Sequence, residues 1–339
     1  MERIDKVVSR KNREDLFIED YEAGRRNLRQ YSLRVRQGIR SARTRWKSVC
    51  TGLRLVSARL GYCSRPRFLI IGAQKAGTVA LSTYLPLSPH IVPAGKKEIY
   101  FFNPGTLEYL REHGVISAVE QKLEFSNPKI YKQALAWYHS HFPLPYELGR
   151  YGITFEATPG YLYHPDSPGQ IFFYDPQMKL IVLLRDPVAR AFSAWNMLRN
   201  FGKNPDGLFY QLADFREFDK AVKDEIDRMV AGDSAPEPSY VRRGLYYEQL
   251  ARYFKYFERD QLLIIDSRTL KDNPALVLER IIRFLGLPPF DWHRVQLPPL
   301  HIGKYEGQMS EETRVLLRGF YEPHNAKLYE LLGRDFGWQ

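Results

Sequence analysis

The chain has 339 residues, 44% of them hydrophobic and 14% aromatic, which is apolar material for one large core or for one domain with an appendage. Its net charge of +11 is uneven: residues 1–65 hold 17 of the 50 Lys+Arg and 7 of the 39 Asp+Glu, a balance of +10, against +1 for the remaining 274 residues. Two cysteines, Cys50 and Cys63, exclude a disulfide framework; no His/Cys cluster has metal-ligand spacing, and no apolar run approaches the roughly 18–20 residues of a membrane-spanning helix.

Residues 1–65 read as a basic, partly helical arm, and residues 66–339 as the main domain. The apolar positions Leu33, Val35, Ile39, Trp46, Val49, Leu53, Val56 and Leu60 have roughly helical spacing, with arginines between them. Such a helix can lie on an anionic membrane surface, bind a partner, or pack on the main domain with a solvated basic face. Acidic residues among the basic ones, and no apolar core, argue against a secretory signal.

The main domain opens with an apolar run, Arg67–Gly72, that predicts a buried strand ending in glycine. A helix is expected over Thr78–Leu85, stopping near Pro86, and another over Tyr131–Phe142. Strands are expected at Ile153–Ala157, Lys179–Leu184 and Gln261–Asp266. Asp186 as cap and Pro187 in the first turn open a helix through about Asn200. Pro274–Leu285 is amphipathic and stops at Gly286, and Glu311–Leu332 reads as helical with a break near Pro323. Strands alternating with helices predict an α/β fold with a mostly parallel central sheet and helices on both faces.

The stretch Ile71-Gly72-Ala73-Gln74-Lys75-Ala76-Gly77-Thr78 lies between the first strand and the first helix. Glycines let the chain turn so that successive N–H groups face an anion, and the helix start adds partial positive charge. Lys75 places a full charge inside the loop, and Thr78 a hydroxyl at its end. An ordinary P-loop has Lys directly before Ser or Thr; here no Lys separates Gly77 from Thr78, and Val79 follows. That displacement argues against a Mg²⁺-dependent kinase of small molecules, the main alternative for such a loop.

On these residues the chain resembles the sulfotransferases that use 3′-phosphoadenosine 5′-phosphosulfate (PAPS), in their carbohydrate (heparan-sulfate-type and bacterial) branch. The loop resembles that family's 5′-phosphosulfate motif, and Arg185-Asp186-Pro187-Val188-Ala189-Arg190-Ala191-Phe192-Ser193 its 3′-phosphate motif. Arg243-Gly244-Leu245-Tyr246, Phe284-Leu285-Gly286-Leu287 and the C-terminal stretches around Phe320–Asn325 and Gly333–Trp338 follow in the family's order. The resemblance implies a P-loop-NTPase-like three-layer sandwich, PAPS as donor, PAP as product, no metal, and an acceptor with a free hydroxyl on a saccharide or glycolipid. A non-carbohydrate metabolite stays open as acceptor.

It further implies donor contacts from Gln74, Lys75, Ala76, Gly77, Thr78 and Val79 at one end and from Arg185 and Ser193 at the other, with Lys304 and Tyr305 on a closing loop. Arg185 could instead pair with Asp186. Lys75 is expected to meet charge growing on the leaving oxygen. The resemblance makes Glu98 the base; Glu98 could equally pair with Lys96 or Lys97, and His90 is the other candidate base. Glu156 and Thr158 are expected on the acceptor side, where Ala157 replaces the lysine of heparan-type enzymes. Tyr100, Phe101, Phe102, Trp137, Tyr161 and Tyr163 would stack on sugars or pack the core. No nucleic-acid recognition motif is present, the oligomeric state is not legible, and the expected location is cytoplasmic, with the arm able to touch the inner membrane face.

Overall fold

The computed structural model describes residues 51–116, 127–233, 237–297, 305 and 307–338. Residues from Ser57 onward form one compact unit, separate from a unit ending at Val56. Of the basic arm, residues 51–59 are helical as the spacing predicts; residues 1–50 lie outside the described set.

The framework is one sheet of five parallel strands: β1 (Pro66–Gly72), β2 (Ile91–Pro93), β3 (Ile153–Ala157), β4 (Lys179–Leu184) and β5 (Leu262–Asp266), in the order β2-β3-β1-β4-β5. The runs that read as buried strands are buried: Phe68, Leu69, Ile70 and Ile71 of β1 and Leu180 to Leu184 of β4 have no exposed surface. Strands covered on both faces read as continuous apolar runs, which makes them the most legible elements. Phe68 stacks on Phe155 across β1 and β3, with centroids 4.8 Å apart. β2, three residues long and ended by Pro93, is too short to leave a periodic signal.

Around the sheet lie α1 (Thr78–Tyr84), α2 (Thr106–Glu112), α3 (Pro128–His139), α4 (Ser167–Tyr174), α5 (Pro187–Phe201), α6 (Phe218–Val230), α7 (Tyr246–Tyr253), α8 (Ser267–Asp272), α9 (Pro274–Leu285) and α10 (Glu311–Leu332). The expected signals start and stop several of them. Asp186 accepts from the Val188 and Ala189 amides at the head of α5, and Gly286 ends α9 at φ 70°. A second apolar cluster joins α5, α6 and α10 through Val188, Trp195, Phe218, Val222, Leu317 and Tyr321.

One expectation is corrected. α10 runs without interruption through Pro323. Proline removes one N–H and crowds the carbonyl four residues back, here that of Gly319. Pro323 faces solvent, where that carbonyl can tilt toward water, while Leu317, Tyr321 and Leu328 anchor the helix on either side.

The strand order positions the site. From β1 the chain builds toward β2 and β3 on one side, then crosses to β4 and β5 on the other. The order reverses between β1 and β4, and ligands of open α/β sheets collect outside the strand carboxyl ends at such a point.

Candidate active site

Lys75 follows β1 and Arg185 follows β4, so both flank the reversal point. The loop between β1 and α1 is tight. A Cβ on Gly72 would sit 2.5 Å from Leu162 Cβ, so only glycine lets the strand end pass there. Gly77 has φ 101° and Lys75 φ 69°; for lysine the left-handed region costs about 1–2 kcal/mol. The Ala73 amide is tied to the Leu183 carbonyl at 2.7 Å, whereas the amides of Gln74, Lys75 and Gly77 have no protein acceptor among the described residues. The Thr78 hydroxyl is likewise without a hydrogen bond there, though the residue is buried.

Arg185 does not pair with Asp186, whose carboxylate is engaged as the cap of α5. Its Nη1 donates to the Lys75 carbonyl at 3.0 Å and its Nη2 to the Tyr305 hydroxyl at 3.3 Å. Tyr305 in turn donates to Ser193 Oγ at 3.4 Å, and Tyr246 fixes the Arg185 carbonyl at 2.9 Å. Lys75, Arg185, Ser193 and Tyr305 therefore form one cluster; Lys304 lies outside the described residues. Neither Lys75 nor Arg185 has a carboxylate partner among the described residues. Burial is the main force drawing Lys75 below the usual amine range; Tyr305 opposes it, and the charges of Arg185 and Arg190 add to it. For Tyr305, burial pushes upward, but hydrogen bonds with Ser193 and Arg185 and the charges of Arg185 and Lys75 together bring it below the ordinary phenol. A cluster of donors and cations with no carboxylate partner among the described residues suits a bound anion. No group of three or more His, Cys, Asp or Glu among the described residues could hold a metal.

Glu98 lies beyond β2, on the loop that meets the end of β3. Its amide donates to the Ala157 carbonyl at 3.2 Å, and Glu98 and Tyr100 both have positive φ, 62° and 63°. Its carboxylate meets Lys97 at 2.6 Å, the surface pair foreseen as an alternative, and also accepts from the Tyr100 hydroxyl. Lys97 and Tyr100 take different oxygens of that carboxylate. His90 precedes β2 and so sits at the opposite end of the sheet, beside the start of β3.

Glu156 and Thr158, expected at the acceptor, are buried instead. Tyr138 and Tyr161 donate to Glu156 Oε1, each at 2.8 Å, and Thr158 donates to Oε2 at 3.1 Å. Thr158 Oγ1 also receives the Tyr100 amide at 3.4 Å. Burial pushes the Glu156 carboxyl up to about 7, against the pull of those three hydroxyls and the Ile99 amide. This network braces the 98–100 loop from beneath. Of the aromatic candidates, Phe101, Phe102 and Tyr161 belong to the core, whereas Tyr100 is 43% exposed and Tyr163 lies under the Arg243 guanidinium at 4.2 Å. Nothing in the sequence singles out Tyr138, and Tyr100 reads there only as a stacking surface; its place two residues after Glu98 is the one available signal of its contact with that carboxylate.

A parallel sheet whose cations after two adjacent strands at its reversal point have no carboxylate partner among the described residues has the ground plan of an α/β enzyme acting on anionic substrates. The family model described as "Sulfotransferase domain" matches residues 65–296, and the chain belongs to that family of enzymes. It is 30% identical over 294 residues to heparan sulfate glucosamine 3-O-sulfotransferase 3A1 of Mus musculus, a match covering 80% of this chain and 64% of that protein. It is 28% identical over 302 residues to bifunctional heparan sulfate N-deacetylase/N-sulfotransferase 3 of Mus musculus, covering 80% of this chain and 30% of that one. The chain thus spans less than two thirds of either relative. The crystal structure of a sulfotransferase from Alicyclobacillus acidocaldarius aligns with a TM-score of 0.56 at 25% identity, covering 80% of this chain and 98% of that one. The fold is the P-loop-like sulfotransferase fold.

Proposed function

We propose that this enzyme moves a sulfuryl group from PAPS to a hydroxyl of a saccharide or glycolipid, with Glu98 as the base. The observation that carries the reading is the pair of cations, Lys75 and Arg185, held together across the reversal point with no carboxylate partner among the described residues. A donor with two anionic ends matches a cluster with two cationic ends. Lys75, Thr78 and the amides of Gln74 and Gly77 would hold the 5′-phosphosulfate; Ala76 and Val79 complete the backbone there. Arg185, Ser193 and Tyr305 would hold the 3′-phosphate. When bound, PAPS supplies the activated sulfuryl group.

Lys75 then acts as fixed positive charge where negative charge builds on the leaving phosphate, the kind of preorganised stabilisation that dominates such transfers. Its lowered proton affinity, set chiefly by burial, makes an incoming anion welcome. Glu98 offers a carboxylate about one-third exposed and within reach of water, and so of an acceptor hydroxyl. Glu156 and Thr158 support the loop that presents it rather than touching the acceptor. A saccharide acceptor is favoured by the two relatives named for heparan sulfate. No described helix is long and apolar enough to cross a membrane; a cytoplasmic enzyme touching the membrane through its basic arm remains our proposal for its location.

The test is transfer of labelled sulfate from PAPS, in EDTA, to desulfated heparan sulfate and, separately, to a glycolipid extract. Labelled product from either supports the reading. A requirement for Mg²⁺, or use of ATP with no use of PAPS, would return the kinase alternative.

A further inference from the structure

The loop that carries Glu98 is held more firmly than a surface turn requires. Two of its residues, Glu98 and Tyr100, occupy the left-handed region, a conformation that persists only where surrounding contacts enforce it. Those contacts are present. The Glu98 amide is fixed to Ala157, the Tyr100 amide to Thr158, and the Tyr100 carbonyl accepts from Thr106 Oγ1 at 2.7 Å. Their joint effect is to bring the Tyr100 hydroxyl onto Glu98 Oε2, while Lys97 rests on Oε1 at 2.6 Å. The Lys97–Glu98 pair is open to water, with side chains 33% and 34% exposed, and exposed pairs of this kind exchange readily.

We propose that Tyr100 is a positioning residue, whose hydroxyl fixes Glu98 through Oε2 so that Oε1 takes the acceptor's proton once the acceptor displaces Lys97. This rests on the reading of Glu98 as base. In the step, the acceptor O–H bond breaks as its oxygen bonds sulfur. The phosphate oxygen of the donor keeps the electron pair of the bond it loses, and the proton passes to Glu98 Oε1. Tyr100 keeps its own proton throughout. A phenol suits this role because it donates one directed hydrogen bond from a ring with two torsions. The charged groups acting on it are Glu98 on its own loop, itself paired with Lys97, and Arg243 from the turn Arg242–Gly244. Burial first, then the hydrogen bond and charge of Glu98, hold the Tyr100 phenol above the ordinary range, with Arg243 pulling the other way.

Two measurements test this. With labelled PAPS and desulfated heparan sulfate, Tyr100→Phe should lower kcat about tenfold and leave both KM values near native, because only a hydroxyl is lost and the ring stays. With ¹³C-labelled tyrosine, the Tyr100 resonance, assigned by its loss in Tyr100→Phe, should titrate at lower pH in Glu98→Gln than in the native protein. An undiminished kcat in Tyr100→Phe, in an enzyme whose native form makes labelled product, overturns this role alone. So does a Tyr100 titration that Glu98→Gln leaves in place. No labelled product from the native protein overturns the parent reading, and the positioning role falls with it.

Discussion

The two ends of the site are built differently. The donor end draws its cations from short stretches that directly follow β1 and β4, and its geometry comes from where those strands stop. The proposed acceptor end, the Glu98 loop, depends on a strained turn braced by residues distant in sequence: Tyr100 on Thr158, and Glu156 on Tyr138 and Tyr161. Cations that follow strands make the first end visible as a motif, although Arg185 there is also held by Lys75, Tyr305 and Tyr246, all distant in sequence. Long-range construction makes the second tunable, since a change at Tyr138 or Thr106 reaches Glu98 without touching it.

The largest expected effect attacks the acceptor end directly. Glu98→Gln should reduce transfer by about 10²–10⁴-fold, the range for loss of a general base, while PAP binding stays near native. Steady-state rates alongside calorimetry separate the two. Near-native rates would move the base elsewhere, and the remote position of His90 makes it a poor replacement.

A second, smaller effect tests the brace. The folded state favours protonated Glu156, raised by burial from 4.5 to about 7. Its contribution to stability is therefore complete below about pH 4.5 and is lost as pH climbs to about 7. The difference is on the order of 3 kcal/mol. Thermal melts of Glu156→Gln should be flatter than native between those limits. Parallel profiles would mean the carboxyl is ionised without penalty.

The smallest effect lies at the donor end. Ser193→Ala removes one hydroxyl from a cluster that retains Arg185 and Tyr305, so PAP affinity should fall only about 3- to 10-fold. A loss as large as that from removing Arg185 would show that Ser193, Tyr305 and Arg185 act as one unit.

Legibility followed the same division. β1, β3, β4 and β5 could be read because buried parallel strands are apolar throughout, and α5 and α9 because Asp186 and Gly286 sit where caps belong. Lys75 and Arg185 became candidates through the family resemblance of their motifs, since position after a strand left Arg185 open between an anion and Asp186. The interaction of Arg185 with Lys75 spans 110 positions and that of Tyr100 with Thr158 spans 58, and no local pattern encodes either. Positive φ at Glu98 and Tyr100 was equally hidden, since neither is glycine. Pro323 misled because its helix rule applies to the isolated segment, whereas α10 is held by packing at both flanks.

The measurement that bears most directly on the central claim is calorimetric titration with PAP, in EDTA, of the native protein and Arg185→Ala. The account predicts saturable heat for the native protein and an affinity lowered about 10- to 100-fold by the substitution, the worth of charge-assisted hydrogen bonds to a phosphate. Absence of heat from the native protein, or equal affinity in Arg185→Ala, would contradict it.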